Sequence, residues 1–152
     1  MATTESSPPR GPDAWMVLNA LPHLGPVTLR RLLDTVDGEA EALFELPPAK
    51  LERVKGVGPK AIGVLREWRR HFDPEAERRR AAEAGAAFIH WHHPEYPEAL
   101  TEIYDPPVGL YALGPLRFDR PCVAIVGSRQ CTLYGLRMRY VRLARASRQA
   151  AQ

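Results

Sequence analysis

The stretch Cys122-Val123-Ala124-Ile125-Val126-Gly127-Ser128-Arg129 decides the fold class that this sequence predicts. Its first five residues form a continuous run of small apolar and β-branched side chains, which is typical of a parallel strand buried on both faces. A glycine directly after such a strand places a loop at the carboxyl end of a parallel sheet, where open α/β sheets bind ligands. The stretch therefore predicts the beginning of a parallel-sheet α/β domain.

The loop after this strand has the chemistry of an anion site. Gly127 permits close approach of a phosphate, Ser128 offers a hydroxyl and an N–H group, and Arg129 offers a bidentate guanidinium. Thr132 stands where it can cap the following helix, whose N-terminus adds a favourable dipole. The alternative is an ordinary connection between a strand and a helix. The loop contains no acidic residue that could bind a ribose or a metal ion.

Upstream, the sequence predicts a small all-helical domain over residues 13–72. Residues 1–12 are small, polar and proline-rich, and are predicted to be a disordered tail. Five short helices and no strand are predicted between 13 and 72, the first of them capped by Asp13. Residues 73–152 then predict a charged helix after Asp73, short strands at 87–91 and 108–113, the parallel strand at 122–126 and a last helix over 136–148.

Two glycine turns within the helical domain resemble helix-hairpin-helix turns. The first surrounds Gly25, and the second reads Val54-Lys55-Gly56-Val57-Gly58-Pro59-Lys60. A tight turn of this kind exposes backbone N–H groups at a helix start, where they suit a phosphate oxygen without reading any base. The second turn therefore offers Lys55, Gly56, Gly58 and Lys60 as candidate DNA contacts. The alternative is that glycine merely permits a short connection between helices.

Charge is distributed unevenly along the 152 residues, although the net charge is only +3. Residues 1–119 hold 14 basic and 18 acidic side chains, whereas residues 120–152 hold seven arginines and no acid. This split favours an anionic partner such as nucleic acid. No apolar run is long enough for a membrane span, the N-terminus has no secretory signal pattern, and the two cysteines suit a reducing cytosol.

Other clusters in the sequence do not predict catalysis or metal binding. His90, His92 and His93 lie close in sequence but have no cysteine or carboxylate at ligand spacing, so a polar strand end is the favoured interpretation. No nucleophile–base order, paired-carboxylate motif or P-loop lysine is present. The sequence therefore predicts no catalytic residue, no metal and no cofactor.

Two ordered motifs resemble the DNA-processing protein A family, also called DprA or Smf. They are Tyr-Pro-Glu-Ala-Leu-Thr-Glu-Ile-Tyr-Asp-Pro-Pro-Val-Gly-Leu-Tyr-Ala-Leu-Gly at 96–114 and Ala-Ile-Val-Gly-Ser-Arg-Gln-Cys-Thr-Leu-Tyr-Gly at 124–135. The resemblance is strong over about 85–135, and residues 13–72 are consistent with the helical, sterile-alpha-motif-like or hairpin domain that family members often carry. It implies a Rossmann-like domain from residue 73 onward, of which this chain holds only the opening part.

The resemblance implies a cytoplasmic, non-enzymatic protein of natural transformation, or competence. Such proteins bind and protect incoming single-stranded DNA and help load the RecA recombinase, and the full-length protein is expected to form a homodimer. By position, Gly127, Ser128, Arg129 and Thr132 correspond to the family's DNA loop. Because members continue well past this point, a truncated chain is expected. The alternatives are a nucleotide-binding enzyme resembling the phosphoribohydrolases and a helical protein-interaction module with a vestigial α/β part.

Overall fold

The chain divides into two compact units, Met1–Leu116 and Arg117–Gln152. The computed structural model describes residues 7–114 in the first unit, and 132–134 and 137 in the second. In the second unit the backbone is helical at Leu133, Tyr134 and Arg137. The predicted parallel strand at 122–126 lies outside the described residues, so the Rossmann-like sheet stays a prediction.

The first unit is built from short helices and one small sheet, a mixed α and β composition that agrees with the prediction. The elements in chain order are α1 (Pro12–Ala20), α2 (Pro26–Asp34), α3 (Ala42–Glu45), α4 (Pro48–Leu51), α5 (Pro59–Arg66), α6 (Trp68–His71), α7 (Pro74–Glu83), β1 (Ala86–His90), α8 (Glu98–Thr101) and β2 (Gly109–Leu113). Six helices occupy the region for which five were predicted, because the backbone leaves helical geometry at Glu67 and divides the last of them into α5 and α6. Within the described residues, no helix is long and apolar enough to span a membrane.

Prolines fix the starts of five of these helices. Each occupies the first helical position, where a missing N–H costs nothing and the fixed φ angle suits the helix. These residues are Pro12, Pro26, Pro48, Pro59 and Pro74. The prediction that Asp13 caps α1 is wrong: Gly11, at φ 53°, is the N-cap. The Asp13 carboxylate instead forms an ion pair with Arg78 of α7.

A leucine-rich core holds the helices together. Leucines from five helices are almost completely buried: Leu18, Leu29, Leu32, Leu43, Leu51 and Leu65. Trp68 closes one side, with its ring 6.1 Å from that of Phe44. Burying one such leucine contributes about 1.5–3 kcal/mol, whereas isolated helices of this length are marginal in water. The helices are therefore held in place by shared burial.

The two strands form an antiparallel pair whose buried residues, Ile89 and Ala112, form a second small cluster with Tyr96. Ala86 pairs with Leu113, and His90 pairs with Gly109. Gly109 has no room for a side chain, because a Cβ atom there would lie 2.3 Å from the Phe88 ring. Val108, directly before β2, is 1% exposed and belongs to the helical core. The strands predicted at 87–91 and 108–113 are thus confirmed, and their pairing joins them to the helices.

Helix α7 is highly charged, and its charges are paired within the unit. Asp73 caps the helix, since its Oδ1 accepts hydrogen bonds from the N–H groups of Glu75 and Ala76. Arg79 pairs with Glu75 and Arg80 with Glu77, each at 3.1 Å. This agrees with the charged helix predicted after Asp73.

The Asp73 cap is expected to contribute about 1 kcal/mol to stability, because Asp73→Ala leaves the first N–H groups of α7 without their side-chain acceptor. Asp73→Asn keeps an acceptor oxygen and is expected to lose far less. Urea unfolding followed by circular dichroism measures the difference. Equal loss in the two variants would contradict a capping role.

Candidate functional site

Three helices of the first unit begin at a glycine–proline pair: α1 after Gly11, α2 after Gly25 and α5 after Gly58. Glycine has no side chain that could accept hydrogen bonds from the first N–H groups of the helix, and the first turn of α1 also contains Asp13. Helices α2 and α5 are therefore the two candidates for anion binding. Neither first turn contains an acidic residue, in contrast to α7, which Asp73 caps. Both starts therefore combine exposed backbone donors with the positive end of the helix dipole.

The second glycine turn packs directly against α2. Gly56 has φ 93°, a conformation that favours glycine, and a Cβ atom built there would lie 3.4 Å from Nη1 of Arg31 and 3.5 Å from Oγ1 of Thr28. Arg31 Nη1 also donates a hydrogen bond to the carbonyl oxygen of Lys55 at 3.1 Å. The structure thus brings the helix that follows the first turn against the second turn.

The lysines that flank the second turn lie on the surface. Lys55 and Lys60 are both exposed, and neither forms an ion pair within the described part of the chain. Gly56 and Gly58 leave the backbone accessible between them. Cationic side chains beside uncapped amides are suited to a phosphate oxygen. The predicted contacts Lys55, Gly56, Gly58 and Lys60 therefore occupy one short surface turn.

The other predicted anion site falls largely outside the described residues. Gly127, Ser128 and Arg129 are among the residues of which no structure is described, so their role stays a prediction. Thr132 is exposed and directly precedes the helical backbone at Leu133. Its predicted role in the loop stays a prediction.

The histidines at the end of β1 form an aromatic cluster. The His90 ring stacks on Trp15 at 5.0 Å between centroids, and the His93 ring meets it edge-on at 5.7 Å. The buried Nδ1 atom of His90 has no hydrogen-bond partner. Burial, with a smaller contribution from His93 and His92, lowers the pKa of His90. Among the described residues, no group of three or more potential ligands is arranged to hold a metal ion.

Sequence reasoning missed two side chains that shape this surface. Arg31 orients the second turn from a position 24 residues earlier, and Tyr104 lies exposed beside the start of α2. Tyr104 lies within the 96–114 motif, but the resemblance assigned it no role, and Arg31 lies within the helical region predicted over 13–72.

Comparison with known proteins supplies the family. Residues 87–150 match the model of DNA recombination-mediator protein A. Protein Smf from Synechocystis sp. is 31% identical over 128 residues, which cover 81% of this chain and 32% of that protein. By these matches, residues 87–150 belong to the DprA/Smf family. The family predicted from the sequence is confirmed.

The family model and protein Smf match different lengths of the chain. The family model covers both sequence motifs, including Gly127-Ser128-Arg129, whereas the alignment with protein Smf also includes part of the helical region. The chain spans about a third of the length of the curated relative it matches. No solved structure gives a significant match.

Backbone geometry at Gly56 gives a stability prediction. Gly56→Ala is expected to destabilise the protein by about 1 kcal/mol or more, because alanine is strained at that φ angle. Gly63→Ala is the matched control: Gly63 lies inside α5, and a Cβ atom there meets nothing within 4 Å. That change is expected to stabilise by about 0.5–1 kcal/mol. Thermal unfolding measures both, and destabilisation by Gly63→Ala equal to that by Gly56→Ala would contradict the assignment.

The His90 cluster gives a pH prediction. Because the pKa of His90 is lower in the folded protein than in the unfolded chain, the unfolded chain binds more protons below about pH 6.5. The free energy of unfolding is therefore expected to fall as the pH falls below that value and to be insensitive to His90 above it.

Urea unfolding at about pH 7.5 and about pH 5.5 measures this effect. His90→Gln is expected to weaken the pH dependence, whereas His71→Gln, which removes an exposed histidine of α6, retains it. Equal pH dependence in His90→Gln and the unaltered protein would show that His90 is not responsible.

Proposed function

We propose that this chain binds single-stranded DNA through its phosphates, as part of a protein of DNA processing and recombination. The observation that carries the proposal is the match of residues 87–150 to DNA recombination-mediator protein A, which includes the Gly-Ser-Arg loop. The basic composition of residues 120–152 supports the same conclusion, because seven arginines without an acid favour an anionic partner.

The loop at 127–129 is the proposed principal contact. The backbone N–H groups of Gly127 and Ser128, the Ser128 hydroxyl and the Arg129 guanidinium are donors suited to phosphate oxygens, and Thr132 is proposed to shape the loop. Such contacts carry no base information. Binding is therefore proposed to depend on salt and to be largely independent of sequence.

The second glycine turn is the proposed auxiliary contact. Lys55 and Lys60 are exposed on either side of Gly56 and Gly58, and the first-turn N–H groups of α5 have no capping side chain. Arg31 fixes the turn by its hydrogen bond to the Lys55 carbonyl. A phosphate oxygen at this turn would meet backbone donors and two lysine side chains without an acidic residue in the same helical turn.

The proposed biological role is binding without catalysis. We propose that the complete protein acts in the cytoplasm during natural transformation, protects incoming single strands and assists the loading of RecA. A homodimer of the full-length protein is part of the same proposal. The family match supports a role in DNA processing, and the anion-binding chemistry of the two loops supports the DNA-binding part of the proposal.

Fluorescence anisotropy with a labelled single-stranded oligonucleotide tests the proposal over a salt titration. Arg129→Ala is expected to weaken binding and reduce the salt dependence. The double change of Lys55→Gln with Lys60→Gln is expected to lower the slope of log affinity against log salt by about 1.4, since each phosphate contact contributes about 0.7 for single strands.

Arg79→Gln removes one positive charge from α7 and serves as the control, with an unchanged slope expected. Unaltered affinity and slope in Arg129→Ala would contradict the loop assignment. Mononucleotide binding by calorimetry in the absence of any DNA binding would favour a nucleotide-binding enzyme instead.

A further inference from the structure

A cavity opens beside the first glycine turn and is lined on one side by residues of the 96–114 motif. It measures about 400 Å³ and lies between the start of α2 and the segment that follows α8. Pro26, Arg30 and Arg31 line it on the helix side, and the segment from Ile103 to Pro106 lines it on the other. This volume falls in the range of sites for small organic groups.

An exposed aromatic ring stands at this cavity. Tyr104 is 85% exposed, and the neighbouring Ile103 is 43% exposed, so the cavity presents apolar surface to solvent. A tyrosine ring on a surface is a stacking platform for an unpaired base, and stacking of this kind tolerates any of the four bases. The size of the cavity and the exposed ring together favour a flat, aromatic occupant.

The charges of the cavity favour a base over a phosphate. Arg30 and Arg31 are opposed by Asp34 and Asp105, which also line it, so the formal charges balance. A phosphate would meet two carboxylates, whereas the polar edge of a neutral base finds both donors and acceptors. Arg30 is held in place by stacking over the Trp91 ring at 5.5 Å.

Arg31 links the cavity to the proposed phosphate contact. It lines the cavity and also donates to the Lys55 carbonyl at 3.1 Å, beside Gly56. One arginine therefore borders both the balanced cavity and the cationic turn.

We propose that this cavity holds one unpaired base of the strand whose phosphates contact the Gly56 turn, with the base stacked on Tyr104. The proposal rests on the proposed function and adds to it a subsite that distinguishes single strands from duplexes. A base inserted between α2 and Tyr104 cannot remain paired, so a duplex is excluded from this contact and is held by its phosphates alone.

The test compares Tyr104→Ala, Tyr104→Phe and Leu113→Ala in the full 152-residue chain. Phenylalanine keeps the stacking ring, and Leu113 is an exposed apolar residue of β2 outside the cavity lining. Anisotropy measures affinity for a labelled single strand and for its duplex. Tyr104→Ala is expected to weaken single-strand binding about five- to hundredfold with an unchanged salt slope, since no phosphate contact is lost.

Tyr104→Phe and Leu113→Ala are expected to bind the single strand like the unaltered protein, and duplex affinity is expected to be the same in all four proteins. Unchanged single-strand affinity in Tyr104→Ala would overturn the base subsite, while the effect of Lys55→Gln with Lys60→Gln would still support the proposed function. Equal loss for single strand and duplex would overturn base insertion. Absence of DNA binding by the unaltered protein would overturn both proposals.

Discussion

Burial of leucine side chains from five helices is the interaction on which the first unit depends. These five helices, of four to nine residues, gain too few backbone hydrogen bonds to be stable alone, so each is held by the leucines it contributes. Helix α2 contributes Leu29 and Leu32 to this core while its Arg31 faces the Gly56 turn. The position of the candidate phosphate contact therefore depends on apolar packing, and its chemistry depends on the backbone groups that the packing leaves exposed.

Local sequence patterns predicted much of the first unit. The strand near 109–113, the Asp73 cap and the glycine turns each have a signal within a few residues, and all appear where expected. Asp13 was wrongly predicted to be an N-cap because two local preferences compete there: aspartate is favoured at the N-cap, and proline is favoured at the first helical position. The proline fixes the start of the helix. Arg31 and Tyr104 were missed because their importance arises from contacts with distant segments, which no local spacing encodes.

In the first unit, local geometry decides which charged side chains are paired and which are left without an opposite charge. Arg79 and Arg80 of α7 pair with acidic neighbours on the same helix and Arg78 pairs with Asp13 of α1, whereas Lys55 and Lys60 form no ion pair within the described residues. The cavity beside α2 is a third case, because the formal charges of the arginines and aspartates that line it balance. A net charge of +3 therefore hides three distinct electrostatic environments: a neutralised helix, a cationic turn and a balanced cavity.

The burial of Val108 limits how segments can be exchanged between homologous proteins of this kind. This residue precedes β2, yet its side chain is buried among the leucines of the helices, and Trp15 of α1 stacks on His90 at the end of β1. Joining the helices of one homologue to the strands of another would create a void or a clash at Val108 and an unmatched ring at Trp15. Recombination between related genes is therefore tolerated only where both sides of these contacts are inherited together.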